Sequence, residues 1–407
     1  MSTMELERAF GSTPTVVELL VPEGDDSSAV PEVSIVVPAL NEEITIAEFV
    51  EWCKQGLADA RVQGEILIID SSKDRTPQIA LAHGARVVRC PKRGLGRAYI
   101  DAMPFIRGKY VILGDCDLTY DFRKLTPFID RFREGYEFIM GSRFSGSIEP
   151  GAMPRLHRYF GTPITTWIMN VIYHSGFSDI HCGMRGLTLA AFKQIDLRSQ
   201  SWEYASEMVL KSSRLRLRIA EVPVSFYKDR DGRLSHHKRA GLWSPWEAGW
   251  INLKVMLVYT PDSFLLKPGL LLFILGSLLT LSLSRGSYMI GPIGFDLHWM
   301  LFAITVAVLG FSSVQIGILA RMSHRLRSRG ERPSYRWLSY DRGMIAAGIL
   351  TAVGAGLTLA FLRDYVVDGF RLQEVSYAAV FGLFLIIIGF QTFGLTLLAE
   401  MMRRISR

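Results

Sequence analysis

Short apolar runs alternate with helical patterns through the first part of the chain. Residues 33–37, 65–69, 110–113 and 138–140 have the length and apolar content of buried strands. The intervening segments repeat apolar residues at helical spacing, as in the helix that follows the first strand and is capped at Asn41. Strands and helices in strict alternation form a mostly parallel, doubly wound sheet. The pattern therefore predicts an α/β fold for this part.

Four much longer apolar runs follow. They cover Phe264 to Leu283, Trp299 to Ala320, Met344 to Phe361, and Tyr377 to Leu398. A helix needs ~20 apolar residues to cross a bilayer. The pattern therefore predicts a domain of four transmembrane helices.

These two patterns divide the chain of 407 residues into four predicted parts. Residues 1–31 lack the features of a signal peptide and are expected to form a flexible leader. Residues 32–236 form the α/β domain, and residues 263–407 the membrane domain. In between, residues 237–262 place Trp243, Trp246 and Trp250 on one helix, which is typical of a helix lying at the membrane interface.

The distribution of charge predicts how the chain sits in the membrane. The net charge is +7, and much of the arginine lies beside the apolar runs, which favours a membrane partner over nucleic acid. The connection between the second and third runs is rich in arginine, as is the C-terminus. The positive-inside rule then places this connection, both termini and the α/β domain in the cytoplasm, in a multi-pass protein of the inner (plasma) membrane. The basic residues of the connection are Arg321, Arg325, Arg327, Arg329, Arg332, Arg336 and Arg342.

Acidic residues follow three of the predicted strands. Asp115 and Asp117 come directly after the strand that ends at Leu113, and residues two apart face the same side of an extended chain. Glu42 and Asp70 follow two other strands. Ligands of open α/β sheets bind at the carboxyl ends of the strands. Two carboxylates there suit Mg²⁺ or Mn²⁺ on a diphosphate, and Asp70 could accept hydrogen bonds from a base or ribose.

A second candidate contact to phosphate is a basic, glycine-rich start of a helix. Gly94 and Gly96 lie in the stretch Arg93 to Arg97, and such a stretch can hold a phosphate on backbone amides. A tight turn without a ligand has the same composition, so both interpretations stay open.

Taken together, these segments resemble the motifs of family 2 glycosyltransferases with the GT-A fold. The matching stretches are Val-Pro-Ala-Leu-Asn-Glu-Glu, Asp-Ser-Ser-Lys-Asp-Arg-Thr, Arg-Gly-Leu-Gly-Arg-Ala and Asp-Cys-Asp-Leu-Thr-Tyr-Asp. Within that family the chain resembles synthases of polyprenyl-phosphate sugars, of the dolichyl-phosphate mannose or glucose type and their bacterial relatives. The resemblance covers about Val33 to Pro261.

The resemblance implies roles for individual residues. Pro38, Glu42 and Asp70 correspond to contacts with the base and ribose, and Asp115 and Asp117 to the metal-binding pair. Two departures concern this end of the site. A single Asp70 stands where many relatives have two acids, and Thr119 stands where some have glutamine, so water or Asp121 would complete the metal shell.

The resemblance also implies groups on the acceptor side. Arg143, expected just after a strand at the head of a Gly/Pro-rich loop, and Arg185, in the signature 178–185, would face phosphate. His181 and Cys182 in that signature are expected to be structural, since no second pair has metal-ligand spacing. The charged stretch 228–239 is either a solvated loop or a basic lip over the donor, in which Arg230, Arg233 or Lys238 would contact phosphate.

The function implied is transfer of a glucose- or mannose-class sugar from a UDP- or GDP-sugar to a polyprenyl phosphate, by one displacement with inversion. A processive polysaccharide synthase is an alternative, but the Gln-x-x-Arg-Trp motif usual in such enzymes is absent from the sequence. The other alternative is a membrane scaffold or lipid-flipping subunit with a degenerate sugar-binding domain. A homo-oligomer is compatible with all three.

Overall fold

The computed structural model describes residues 15–25, 30–173, 175–230, 262–323, 339–370 and 376–405. The chain divides into two compact units, Met1–Met256 and Leu257–Arg407. The predicted boundaries at 236 and 262 border residues outside the described part.

An eight-stranded sheet forms the core of the first unit. Its order is β1-β4-β3-β2-β5-β7-β6-β8. Strands β4, β3, β2 and β5 run parallel, β7 is antiparallel to both β5 and β6, and β8 is parallel to β6. The predicted doubly wound, mostly parallel sheet is confirmed. The strands are β1 (Glu18–Leu20), β2 (Val33–Ala39), β3 (Gly64–Asp70), β4 (Arg86–Arg89), β5 (Tyr110–Leu113), β6 (Phe138–Ile148), β7 (Arg185–Thr188) and β8 (Ile219–Phe226).

Helices cover this sheet through apolar faces. Ile46, Phe49, Val50 and Cys53 of the first helix are fully buried, as the helical spacing requires. The helices are α1 (Ile46–Asp59), α2 (Thr76–Ala82), α3 (Leu95–Ala102), α4 (Thr126–Arg133), α5 (Thr162–Tyr173), α6 (Leu189–Ile195) and α7 (Tyr204–Arg214).

Three local predictions differ from the structure. Helix α1 starts at Ile46 with Thr45 before it, whereas Asn41 has a positive φ of 57° and its side chain accepts from the Lys73 amide at 3.0 Å. The tolerance of asparagine for this conformation explains the difference. Strand β6 continues to Ile148, so Arg143 lies inside a strand. Within the predicted leader, Glu18–Leu20 pairs antiparallel with β4 as an edge strand.

The second unit is helical. Its helices are α8 (Lys267–Leu283), α9 (Leu297–Ser323), α10 (Tyr340–Val367) and α11 (Tyr377–Ile405), and a hairpin of β9 (Tyr288–Ile290) and β10 (Ile293–Phe295) joins α8 to α9. In the described part of the chain, four helices are long and apolar enough to cross a membrane, as predicted. Small residues let them approach closely, since a Cβ on Gly354 would lie 2.5 Å from the Gly382 carbonyl oxygen.

A polar residue within these helices, Gln315, forms a hydrogen bond between two of them. Gln315 of α9 donates to the Gln391 carbonyl of α11 at 2.7 Å, and Gln391 donates to Ser312 at 3.0 Å. In an apolar environment such bonds hold helices together, because the alternative is an unsatisfied polar group.

Candidate active site

The predicted donor residues converge at the carboxyl ends of neighbouring parallel strands. The register places Ala39 at the end of β2 opposite Asp70 at the end of β3. Strand β5 lies on the other side of β2, and the Cys116 thiol that follows it donates to the Pro38 carbonyl at 3.3 Å. The Asp115–Asp117 pair and Asp70 therefore flank the same strand end.

Asp70 offers a buried hydrogen-bond acceptor at this edge. Its carboxylate is fully buried, and one oxygen forms an ion pair with Arg89 of β4. The other oxygen, Oδ1, has no hydrogen-bond partner among the described residues. Burial raises the pKa of Asp70, although hydrogen bonding from Ser72 and the positive charge of Arg89 oppose this shift. A buried acceptor without a donor is costly unless a ligand supplies one.

Glu42 lies in the connection between β2 and α1, where hydrogen bonds to two threonines fix its position. It is buried, its amide donates to the Thr76 hydroxyl at 2.9 Å, and its Oε2 accepts from the Thr45 hydroxyl at 3.1 Å. These contacts tie the end of β2 to the start of α2. Glu42 thus shapes the edge beside Asp70.

Asp115 and Asp117 are both partly exposed. Asp117 is oriented by the next turn, since its Oδ1 accepts from the Thr119 amide at 3.0 Å and from the Thr119 hydroxyl at 2.5 Å. Thr119, at the position where some relatives have glutamine, therefore fixes the second aspartate.

The signature 178–185 packs directly on this pair. A Cβ on Gly183 would lie 2.5 Å from Asp115 Oδ2, and the Gly183 amide donates to the Tyr120 hydroxyl at 2.8 Å. A residue with a side chain at 183 would displace the carboxylate. The sequence analysis missed this role of Gly183, although the glycine stands within the signature.

The residues present suit a metal shared with a ligand. Among the residues described, no group of three or more His, Cys, Asp or Glu side chains could hold a metal alone. Completion of the shell by Asp121 stays a prediction, and in this structure its carboxylate accepts from Arg123 at 2.7 Å and from the Tyr227 hydroxyl at 2.9 Å. Two partly exposed carboxylates fit Mg²⁺ or Mn²⁺, which keep several water or phosphate ligands.

The glycines of the basic stretch serve packing against another part of the chain. A Cβ on Gly94 would lie 2.2 Å from the Gln200 carbonyl oxygen, and one on Gly96 would lie 2.1 Å from that of Ser199. The Arg97 amide donates to Gln200 at 3.0 Å, and its guanidinium pairs with Asp101 at 2.9 Å. This geometry favours the interpretation as a tight turn over a phosphate-binding loop.

Glu207 of α7 fixes the segment that covers these glycines. It is fully buried and accepts from the Arg198 amide at 3.1 Å and the Ser199 amide at 2.7 Å. It also forms an ion pair with the buried Lys211. Burial opposes the charged form of Glu207, but hydrogen bonds from Lys211 and Ser199 outweigh it and lower its pKa.

Arg143 forms a two-pronged ion pair with Asp179. Nε donates to Oδ2 at 2.6 Å and Nη2 to Oδ1 at 2.8 Å, both within the buried part of the unit. The Phe226 ring lies 5.2 Å from the guanidinium carbon. The pair joins β6 to the signature, so Asp179 is a partner that the sequence analysis did not assign.

Arg185 is the largest fully buried side chain of the described part. Its guanidinium donates to the carbonyl oxygens of Cys182 at 2.9 Å, Ala205 at 2.6 Å and Ile180 at 3.1 Å. These bonds tie the signature to α7. The expected contact with phosphate stays a prediction, since three carbonyl oxygens engage this guanidinium in the structure.

The remaining predicted residues are placed as follows. His181 contacts the Thr165 hydroxyl at 2.8 Å through Nε2, and burial together with the charge of Arg143 lowers its pKa to about 4. Burial raises the pKa of Cys182 to about 12. Arg230 forms an ion pair with Glu48 of α1. Arg233, Lys238 and the predicted interfacial helix at 245–259 lie outside the described residues.

Family models match both units of the chain. The model described as glycosyl transferase family 2 matches residues 34–196, and the model of the family 2 C-terminal transmembrane region matches residues 319–403. The first match spans the sheet from β2 to α6, including both carboxylate sites.

Curated and solved proteins resemble the chain to different extents. It is 35% identical to the low-salt glycan biosynthesis hexosyltransferase Agl6 of Haloferax volcanii, over 92% of this chain and 90% of that protein. It is 29% identical to the dolichyl-phosphate hexose transferase of the same organism, over 52% and 89%. A crystal structure of glucosyl-3-phosphoglycerate synthase from M. tuberculosis is 20% identical, covering 57% of this chain and 81% of that one, with a TM-score of 0.42. From the family matches and the Agl6 similarity, the chain belongs to glycosyltransferase family 2 and is a membrane member of it.

Proposed function

We propose that this enzyme transfers a hexose from a nucleoside diphosphate sugar to a polyprenyl phosphate, giving a polyprenyl monophosphate sugar. The observation that carries the proposal is the edge of the sheet where Asp70 and the Asp115–Asp117 pair flank one strand end. These two acidic groups would contact the nucleoside and the diphosphate of such a donor. The similarity to a dolichyl-phosphate hexose transferase supports the acceptor class.

The donor would be held at its nucleoside and at its diphosphate. The unpartnered Asp70 Oδ1 would accept a hydrogen bond from the base or ribose, with Pro38 and Glu42 shaping the same edge. Asp115 and Asp117 would hold Mg²⁺ or Mn²⁺, which neutralises the leaving diphosphate when bound. UDP- and GDP-sugars both suit this arrangement.

The acceptor phosphate is anionic at neutral pH, so the reaction needs no strong general base. One phosphate oxygen forms a bond with the anomeric carbon while the bond from that carbon to the diphosphate oxygen breaks. The nucleoside diphosphate leaves with the electron pair, and the anomeric configuration inverts. Alignment of the two substrates supplies most of the rate.

The acceptor side of the site is assigned to the chain between β6 and β7. The Arg143–Asp179 pair ties β6 to the end of that segment, and it uses the Nε–Nη2 edge of the guanidinium. Charge compensation of the acceptor phosphate is assigned to Arg143, whose Nη1 lies outside this pair, or to the stretch 228–239, where Arg230, Arg233 and Lys238 are the basic candidates. The donor and this site face the cytoplasm of the cell that holds the enzyme in its plasma membrane.

The test is a product assay with the full chain in proteoliposomes. Labelled UDP- and GDP-hexoses are supplied with Mn²⁺ and either undecaprenyl or dolichyl phosphate, and the lipid product is identified by mass spectrometry. We expect one donor to give a lipid carrying a single phosphate and one hexose. A sugar polymer, a lipid diphosphate or no lipid product from any donor would refute the proposal.

A further inference from the structure

The helix between β6 and β7 has its polar side turned inward. The chain is helical through residues 155–173, which include α5. Thr162, Thr166 and Met169 of this helix are at most 5% exposed, and Thr165 bonds to His181. A helix on a soluble protein normally buries its large apolar residues and exposes its threonines. Of the three buried positions in residues 155–171, where burial is described, two are threonines.

The opposite face carries an unbroken stripe of large apolar side chains. Its members recur at spacings of three and four residues, so they share one side of the helix. Each is between 52% and 65% exposed. A contiguous exposed patch of this kind indicates a surface that is covered by something else. We call it the apolar stripe, and it consists of Leu156, Tyr159, Phe160, Ile164, Trp167 and Val171.

The charged residues near the apolar stripe indicate what kind of partner covers it. Residues 150–178 contain no Asp or Glu, whereas Arg155 and Arg158 stand at the start of the helix. Aromatic residues beside arginine, on a helix with a separate polar face, are typical of helices that lie in the headgroup region of a bilayer. A second copy of the same surface offers no acid to these arginines, since a twofold interface pairs identical patches.

We propose that the helix 155–173 lies in the membrane interface, with the apolar stripe in the acyl boundary and the two arginines at lipid phosphates. The chain carries its own candidate spans, so a bilayer is always close by. The inference does not depend on the identity of the sugar or the acceptor. It concerns a different segment from the tryptophan-rich stretch at 243–250.

The experiment measures depth at one stripe position in the full chain. Trp167→Cys carries a nitroxide in nanodiscs of phosphatidylcholine and phosphatidylglycerol, and collisions with oxygen and with a water-soluble nickel chelate are compared. Lys54→Cys on α1 is the matched control, because Lys54 is an exposed residue on a helix with its apolar face inward. The four native cysteines are buried, and wild type treated with the same label gives their background.

We expect the label at 167 to favour oxygen and the label at 54 to favour nickel. Arg155→Gln with Arg158→Gln should shift the 167 label towards nickel, as should nanodiscs of phosphatidylcholine alone. Equal nickel access at 167 and 54 would overturn the proposal. So would spin–spin broadening at 167 that disappears on dilution with unlabelled chain, since that result assigns the stripe to a second copy.

Discussion

The Arg143 guanidinium and the Asp179 carboxylate form a buried, two-pronged ion pair, with N–O distances of 2.6 and 2.8 Å. The Arg143 amide adds a bond to the same carboxylate at 3.2 Å. Burial opposes ionisation of Asp179, but the bonds and charge of Arg143 outweigh it and lower its pKa. Both groups are therefore charged at neutral pH, and each buried charge is stabilised by the opposite charge of its partner.

The first prediction follows from that dependence. Asp179→Ala leaves the Arg143 charge buried without its partner and is expected to lower the free energy of unfolding by about 3–5 kcal/mol. The double variant Arg143→Met with Asp179→Leu should recover much of this loss, because no unpaired charge remains. Urea unfolding followed by tryptophan fluorescence measures both. A double variant no more stable than Asp179→Ala would contradict the argument.

The second prediction concerns pH. The pKa of His181 is lowered to about 4, below its ordinary value near 6.5. Between these values the unfolded chain binds a proton that the folded chain does not, so this contribution to stability is complete above pH 6.5 and is lost as the pH falls towards 4. The variant His181→Gln should have an unfolding midpoint temperature that depends less on pH between 4 and 6.5. An unchanged slope would show that His181 does not titrate as described.

The third prediction tests the carboxylate pair against its neighbour. Asp117→Asn is expected to lower turnover by at least about 100-fold at saturating Mn²⁺, since metal assistance is worth several kcal/mol. Asp121→Asn is the control, because Asp121 is held by Arg123 and Tyr227. It should lower stability and leave the Mn²⁺ dependence of turnover unchanged. Near-normal turnover of Asp117→Asn would show that Asp117 does not bind a metal required for the reaction.

The fourth prediction uses the close approach of Gly183 to Asp115. Gly183→Ala should weaken Mn²⁺ affinity about 10–100-fold, as changes that reorient a metal ligand do. Gly161→Ala is the matched control, since the nearest atom to its added Cβ lies 3.7 Å away. Calorimetric titration with Mn²⁺ and a nucleoside diphosphate measures the affinity. Equal affinity in the two variants would mean that Asp115 adjusts without cost.

The fifth prediction concerns orientation. Ile290→Cys lies in the hairpin of β9 and β10, where the residue is exposed. A membrane-impermeant maleimide added to intact cells should label it and should miss Gly330→Cys, a position in the arginine-rich connection outside the described residues. The reverse labelling pattern would place the α/β domain outside the cytoplasm.

The sequence predicted those features that depend on local patterns. The strand that ends at Leu113 and the four candidate spans follow from runs of apolar residues, and the position of the Asp115–Asp117 pair follows from where its strand ends. Roles of single residues that depend on a distant partner were not predictable in the same way. Asp179 is 36 residues from Arg143, and no pattern links the two.

The glycines illustrate the same limit. Gly94 and Gly96 have the composition of a phosphate loop, yet the carbonyl oxygens of Gln200 and Ser199 lie where their side chains would be. A glycine reports that something approaches the backbone, whereas only the tertiary structure identifies what approaches. Arg185 is similar, because a guanidinium can be satisfied by three carbonyls as well as by phosphate.

The antiparallel direction of β7 lets the segment before it change independently of the donor end of the sheet. Because β7 runs opposite to β5 and β6, the chain that leaves β6 re-enters the sheet at the same edge, and residues 149–184 form an excursion anchored at both ends. Outside residues 178–184, which pack on Asp115, a change in its length leaves the strands that carry Asp70 and Asp115 in place. On the proposed assignment of the acceptor to this segment, a new acceptor could be acquired there while the donor end is inherited unchanged.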